Sequence, residues 1–253
     1  MKYIDRTGEI NYNKIGSKME IIKYNRSDDI DVYFEEYDWT YYKAEYKRFK
    51  NGQLKCPYER TVCGKGYIGE GKYKVSENGK HTACYSFWKS MIHRCYDEKY
   101  YNKHLTYKNC NVNEELLNFQ NFGKWFEENY YECDNEKMHL DKDILYKGNK
   151  IYSSSTCIFV PQRINELFIK SDKTRGNLPI GVSYDKEQEK YKSYCNINGK
   201  QKTLGRYNTP EEAFQCYKHF KEKYIKEVAD EYKDKIPNKL YEAMYNYEVE
   251  IND

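Results

Sequence analysis

The spacing of apolar residues changes period along this chain, and each change predicts a different kind of element. Between residues 1 and 80 the runs MEIIKY, DIDVYF and YKRF read as short extended segments punctuated by Gly8, Gly16 and Gly52. Ile30, Val32 and Phe34 alternate, which puts their side chains on one face of a strand. GKGYIGEGKYKV then supplies Gly64, Gly66, Gly69 and Gly71. With no Gly-Lys-Ser/Thr ending and no helix behind it, this stretch predicts a turn-rich connection rather than a phosphate loop.

From Thr82 to Tyr96 the period lengthens: Trp88, Met91, Ile92 and Cys95 fall at i, i+3, i+4 and i+7, the stripe of an amphipathic helix. A second helix is predicted from Asn113 to Asn129, with Phe119, Phe122 and Phe126 at helical spacing and Glu114 and Glu115 in its first turn. Trp88, Phe119 and Phe122 are expected in a core rather than as stacking platforms.

Past the breaker Arg175-Gly176-Asn177 the strand pattern returns as IGVSYD, KYKSYCNING and KTLGRYN, with the hairpin dipeptide Asn198-Gly199 between the last two. Thr209-Pro210-Glu211-Glu212 is a capping box with Pro at the first helical position, opening a helix whose Ala213, Tyr217, Phe220 and Tyr224 face the sheet. Pro237 closes that region, and Asn238 to Tyr247 predicts a final short helix. The fold class is α+β. The units are a β-rich stretch at 1–80, a central one at 81–175, a sheet with a helix at 176–232 and an acidic helical tail at 233–253, and a chain of 253 residues is long enough for more than one core.

Charge refines this picture. The overall balance of +3 is uneven: residues 1–80 carry +3, 81–175 carry +1, 176–227 carry +3 and 228–253 carry −4. So mild a bias requires any nucleic-acid contact to rest on a shaped surface rather than bulk charge. The 30 tyrosines fit either amphipathic cores or an AT-rich coding bias as well as they fit base stacking. The cysteines form no CxxC pair, so no zinc knuckle is expected. With no signal peptide and no apolar run of about 18 residues, the chain is expected to be cytoplasmic, reduced and away from membranes.

Candidate chemistry lies in HLDKDI. As a strand, this segment would put His139, Asp141 and Asp143 on one face and Lys142 on the other. Two carboxylates and an imidazole together suit a hard cation such as Mg²⁺. The competing reading of the same spacing is a solvated turn in which Asp141 and Lys142 form surface ion pairs.

Trp88, Met91, Arg94-Cys95-Tyr96, NFQNFGKW, LDKDI, Gly148-Asn149, Thr156-Cys157, Phe159-Val160 and Asn165 together resemble phage-type HNH homing endonuclease-like proteins, over residues 84–170. The resemblance implies a ββα-metal fold, Mg²⁺ or Mn²⁺ as cofactor, and a bacterial host cell as the setting. It makes Asp141 a metal ligand, with Asp143 beside it, and Asn165 the metal-site residue on the helix. The position of the general base holds Lys142. A lysine at its ordinary pKa of ~10.4 is protonated and cannot take a proton from water unless it is strongly desolvated. Either cleavage is weak or lost, or His139 has taken the role of base.

GVSYD, LGRYNTPEEAF and the Tyr217 region are similar to the Apetala-type (ethylene-response-factor) DNA-binding domain, three antiparallel strands with a packed helix. The similarity implies a sheet lying in the major groove of double-stranded DNA. The candidates for contact are Tyr184, Lys186, Lys190, Lys192, Lys202 and Arg206. Arg206 is the best base reader, and the lysines suit phosphates. The alternative is a non-enzymatic regulator, or an inhibitor of a host defence enzyme, built on the same scaffold.

Overall fold

The computed structural model describes residues 4–169, 177–251 and 253. The protein is α+β and divides into two compact units, Met1–Glu127 and Glu128–Asp253. The division falls inside the stretch 81–175.

The first unit opens with an antiparallel sheet of four strands in sequential order: β1 (Ile10–Tyr12), β2 (Lys18–Arg26), β3 (Asp29–Phe34) and β4 (Trp39–Ala44). Ile30, Val32 and Phe34 point into the core as their alternation predicts, meeting Met19, Ile21, Phe49 and Leu54. The run YKRF, read as extended, belongs instead to helix α1 (Tyr46–Lys50), which buries only Phe49. A single turn has little intrinsic preference, and the docking of one ring decides its conformation. Strand β4 was hidden in the sequence because Lys43 takes a positive φ of 54° and the pairing register shifts, so its alternation breaks.

Helix α2 (Ala83–Tyr96) starts where the Thr82 hydroxyl accepts the Tyr85 N–H, and a short helix, α3 (Glu98–Lys103), follows it. The stripe is inward: Trp88, Met91 and Ile92 are fully buried, and the Trp88 indole N–H donates to the Leu116 carbonyl at 2.9 Å. The predicted second helix is broken at Asn118 into α4 (Glu114–Leu117) and α5 (Phe119–Asn129). Tyr67 of the glycine-rich connection inserts there, donating to the Leu117 carbonyl at 3.0 Å and accepting from the Phe119 N–H at 2.9 Å. Phe119 and Phe122 are fully buried, in the core as expected.

In the second unit, β5 (Met138–Asp141) pairs antiparallel with β6 (Ile158–Pro161), and α6 (Gln162–Leu167) packs on both. Beyond them lies a three-stranded antiparallel sheet of β7 (Val182–Asp185), β8 (Lys190–Ile197) and β9 (Lys200–Tyr207). Of the breaker Arg175-Gly176-Asn177, only Asn177 lies among the described residues. Asn198 and Gly199 both take positive φ, 49° and 75°, as a tight hairpin with the right-handed twist of its strands requires. Helix α7 (Pro210–Tyr232) begins at the Thr209–Glu212 capping box and lays Ala213, Phe214 and Tyr217 against Val182 and Cys195. Helix α8 (Asn238–Tyr245) follows Pro237. Among the described residues, no helix is long and apolar enough to cross a membrane.

Candidate functional site

Two arrangements hold the residues singled out by sequence. The first is the end of β5. Met138 and Leu140 are buried, while His139 and Asp141 alternate to the other face and are half-buried. Their cross-strand partners are Val160 and Ile158, so Asp141 sits among apolar side chains. The strand stops at Asp141 because its Oδ1 accepts the N–H groups of Asp143 at 2.8 Å and Ile144 at 2.7 Å, folding the chain into a turn. The expected alternation therefore does not reach Asp143, which lies in the turn beyond the strand.

Lys142 is not a solvated turn residue. It is 5% exposed, its Nζ lies 3.3 Å from Asp143 Oδ2, and its ammonium sits 5.8 Å from the centre of the Tyr152 ring. The Asn149 amide braces this turn, donating to the carbonyls of Lys142 and Ile151 at 2.7 Å each. Burial is the main cause that pushes the Asp141 carboxyl up to about 6, with the Asp143 charge adding to it. The two backbone N–H bonds and the Lys142 ammonium act in the opposite sense. Burial also pushes the nearby Cys157 thiol up to about 12. Asn165 is half-buried on α6, where its backbone carbonyl accepts the Phe168 N–H at 3.3 Å.

Among the described residues, no three His, Cys, Asp or Glu side chains come together in a way that could hold a metal. One oxygen of Asp141 is committed to the turn, and the charge of Asp143 is met by an ammonium. A cation is thus already built into the chain.

The second arrangement is the sheet β7–β9. Cross-strand partners share a face, which sorts the six candidates. Lys192 pairs with Arg206 and Lys190 with Asp185, and these lie on the face turned away from α7. Tyr191 packs into the core beneath the helix, and its partner Tyr184 lies on that side too, edge-on to it at 5.2 Å. Lys202 pairs with the buried Cys195 and reaches over the Phe220 ring of α7 at 5.2 Å. Lys186 is exposed in the turn between β7 and β8.

The reason for this split is a bulge. Ser193 pairs with Gly205 and Tyr194 with Thr203, which leaves Leu204 extra on β9 and flips the sidedness of that strand. Lys202 and Arg206, four apart, consequently face opposite ways.

On the outer face, Arg206 Nε donates to Asp185 Oδ2 at 3.0 Å, which holds the Asp185 carboxyl below its usual range. This bond aims the guanidinium and, among the described residues, leaves its two terminal nitrogens without a hydrogen bond. Tyr194, not singled out from the sequence, shares the face, and the Lys192 ammonium lies 5.8 Å from its ring centre. Counting by twos from Lys190 would have found it. Asn196, Gln201 and Thr203 complete an exposed polar strip. Beneath the sheet, Lys221 of α7 is buried, and burial pulls its ammonium below the usual lysine range.

No protein-family model matches the chain, and neither a curated protein nor a solved structure does.

Proposed function

We propose that the chain binds double-stranded DNA through the outer face of β7–β9, as a protein of a phage or mobile element. One observation carries this reading: the face opposite α7 is not covered by that helix, and it gathers Lys190, Lys192, Arg206 and Tyr194 with polar residues between them. A two- or three-stranded ribbon fits the major groove. Lys190 and Lys192 supply point charges for phosphates, and the terminal nitrogens of Arg206 present the fork that addresses guanine O6 and N7. The similarity to Apetala-type domains supports the same docking.

Binding of the full chain to a labelled duplex, followed by anisotropy across a salt series, tests this reading. Lys192→Ala should weaken all sequences alike and lower the salt slope by about 0.9. Arg206→Ala should relax sequence preference, since a bidentate base contact contributes ~1–3 kcal/mol of discrimination. Binding that neither substitution alters would overturn it.

A second reading, an HNH-type nuclease, is favoured by the strand–strand–helix order of β5, β6 and α6 with Asp141 ending the first strand and Asn165 on the helix. The buried Lys142 ammonium opposes it and favours binding without cleavage, the role of a regulator or of an inhibitor of a host defence enzyme. Plasmid nicking with Mg²⁺ or Mn²⁺ decides between them. Efficient nicking that His139→Ala abolishes and Lys142→Ala does not would make His139 the base. Nicking that appears only in Lys142→His would mark a site that has lost its base, a loss of ~10²- to 10⁴-fold in rate.

A further inference from the structure

We infer that the first unit carries its own phosphate-binding cleft, formed by Lys14, Arg48 and Lys55, and that its ligand is the backbone of DNA. The cleft has a volume of about 400 Å³, and Asn13 and Gln53 share its lining with the three cations. No aspartate or glutamate lines it. Elsewhere in this unit Arg6, Lys18, Arg60 and Lys72 each meet a carboxylate. Among the described residues, Lys14, Arg48 and Lys55 meet none. Three cationic residues line one cleft with no carboxylate in its lining, and such a lining favours an anion.

The walls are held in place independently of any ligand. The Lys14 N–H donates to the Gly52 carbonyl at 3.0 Å, and the Asn13 amide donates to the Leu54 carbonyl at 3.2 Å, tying loop 13–17 to loop 51–55. Asn13 Oδ1 accepts the N–H groups of Ile15, Gly16 and Ser17 at 2.9–3.0 Å. Behind it the Glu59 carboxylate, 1% exposed, accepts from the Asn13 amide and from the Ser17 hydroxyl at 2.7 Å. Burying a carboxylate costs free energy, and here its hydrogen bonds fix the loop that carries Lys14. Arg48 is oriented as well: its guanidinium lies over the Tyr41 ring and donates to the Tyr41 hydroxyl at 3.2 Å.

A half-buried, oriented Arg48 and the two exposed lysines of the same lining suit a phosphodiester running past the mouth of the cleft. The choice of DNA as the source of that phosphate rests on the reading of the C-terminal face. The cleft itself does not.

Anisotropy with a duplex and amine-acetylation footprinting of the full chain test the inference together. Lys14→Ala/Lys55→Ala should lower the salt slope by about 1.8, at ~0.9 for each lost contact. It should do so equally in the natural chain and in a Lys192→Ala/Arg206→Ala background, and duplex should protect Lys14 and Lys55 from acetylation. An unchanged slope with both lysines unprotected, in a chain that binds duplex, overturns the cleft while leaving the C-terminal face standing. Loss of slope in the double lysine variant alone, with Lys192→Ala/Arg206→Ala inert, supports the cleft and overturns the C-terminal face. Protection by pyrophosphate but not by duplex overturns DNA as the ligand.

Discussion

The segments Met138–Leu167 and Val182–Tyr232 are built from the same parts, antiparallel strands followed by a helix, and they place their lysines in opposite ways. Lys142 is buried beside Asp143 and Tyr152. Lys190 and Arg206 stand exposed on a face that the following helix leaves open. Ile158 to Pro161 are buried on both sides of β6, so a charge arriving at the end of β5 must find its partners inside. The sheet β7–β9 carries α7 on one side, and the strand period sorts its cations between that side and the other. The same residue type thus serves as an internal counter-ion in one region and stands on an open face in the other, according to how many faces are covered.

The largest expected effect attacks the covered face of the C-terminal sheet. Gly181 has φ +73°, and a Cβ there would overlap the Tyr217 ring. Gly181→Ala should cost about 2–4 kcal/mol through strain and overpacking. Urea unfolding reads this directly, and a midpoint like that of the natural chain would mean that β7 and α7 are not held in this contact.

The next probes the buried charges. Because the folded-state pKa of Asp141 is raised from 3.8 to about 6, the folded chain holds its proton more tightly than the unfolded one. The stability contributed by this group is full below pH 3.8 and is lost as pH rises to about 6, by up to ~3 kcal/mol. Asp141→Asn keeps an oxygen for the Asp143 and Ile144 amides and removes the charge. Stability measured across that window should then become flat from this source, and an unaltered pH dependence would place Asp141 in water instead.

Comparing the two lysines sharpens the contrast further. Lys142→Met should leave the salt slope of duplex binding unchanged, whereas Lys192→Ala should lower it by about 0.9. Equal changes in both would put Lys142 on the binding surface. The smallest effect is at the helix start: Thr209→Ala removes the acceptor of the Glu212 N–H and should destabilise by about 1 kcal/mol. Thermal unfolding measures it, and no loss would mean that the capping box is not formed in solution.

Much of the fold was legible because it is local. The alternation of Ile30, Val32 and Phe34, the stripe from Trp88 to Cys95, the Asn198-Gly199 hairpin and the Thr209 capping box all depend on neighbours within a turn or two, and each formed where its spacing predicts. The outer-face trio Lys190, Lys192 and Arg206 was legible in residue type. The sequence by itself therefore determined the α+β class, the C-terminal strand–strand–strand–helix order and the presence of cations on that sheet.

Tertiary structure alone decided what those residues face. The break at Asn118 needs Tyr67, remote in sequence, to bond on both sides of it. The turn that halts β5 excludes Asp143 from the strand, and covering layers bury Lys142 against it. The bulge at Leu204 sends Lys202 toward α7 while Arg206 points away, and the pairing of Tyr184 with Tyr191 places it on the helix side. Each depends on a partner strand, ring or layer brought close only by folding, and a period counted along one segment carries no record of such a partner.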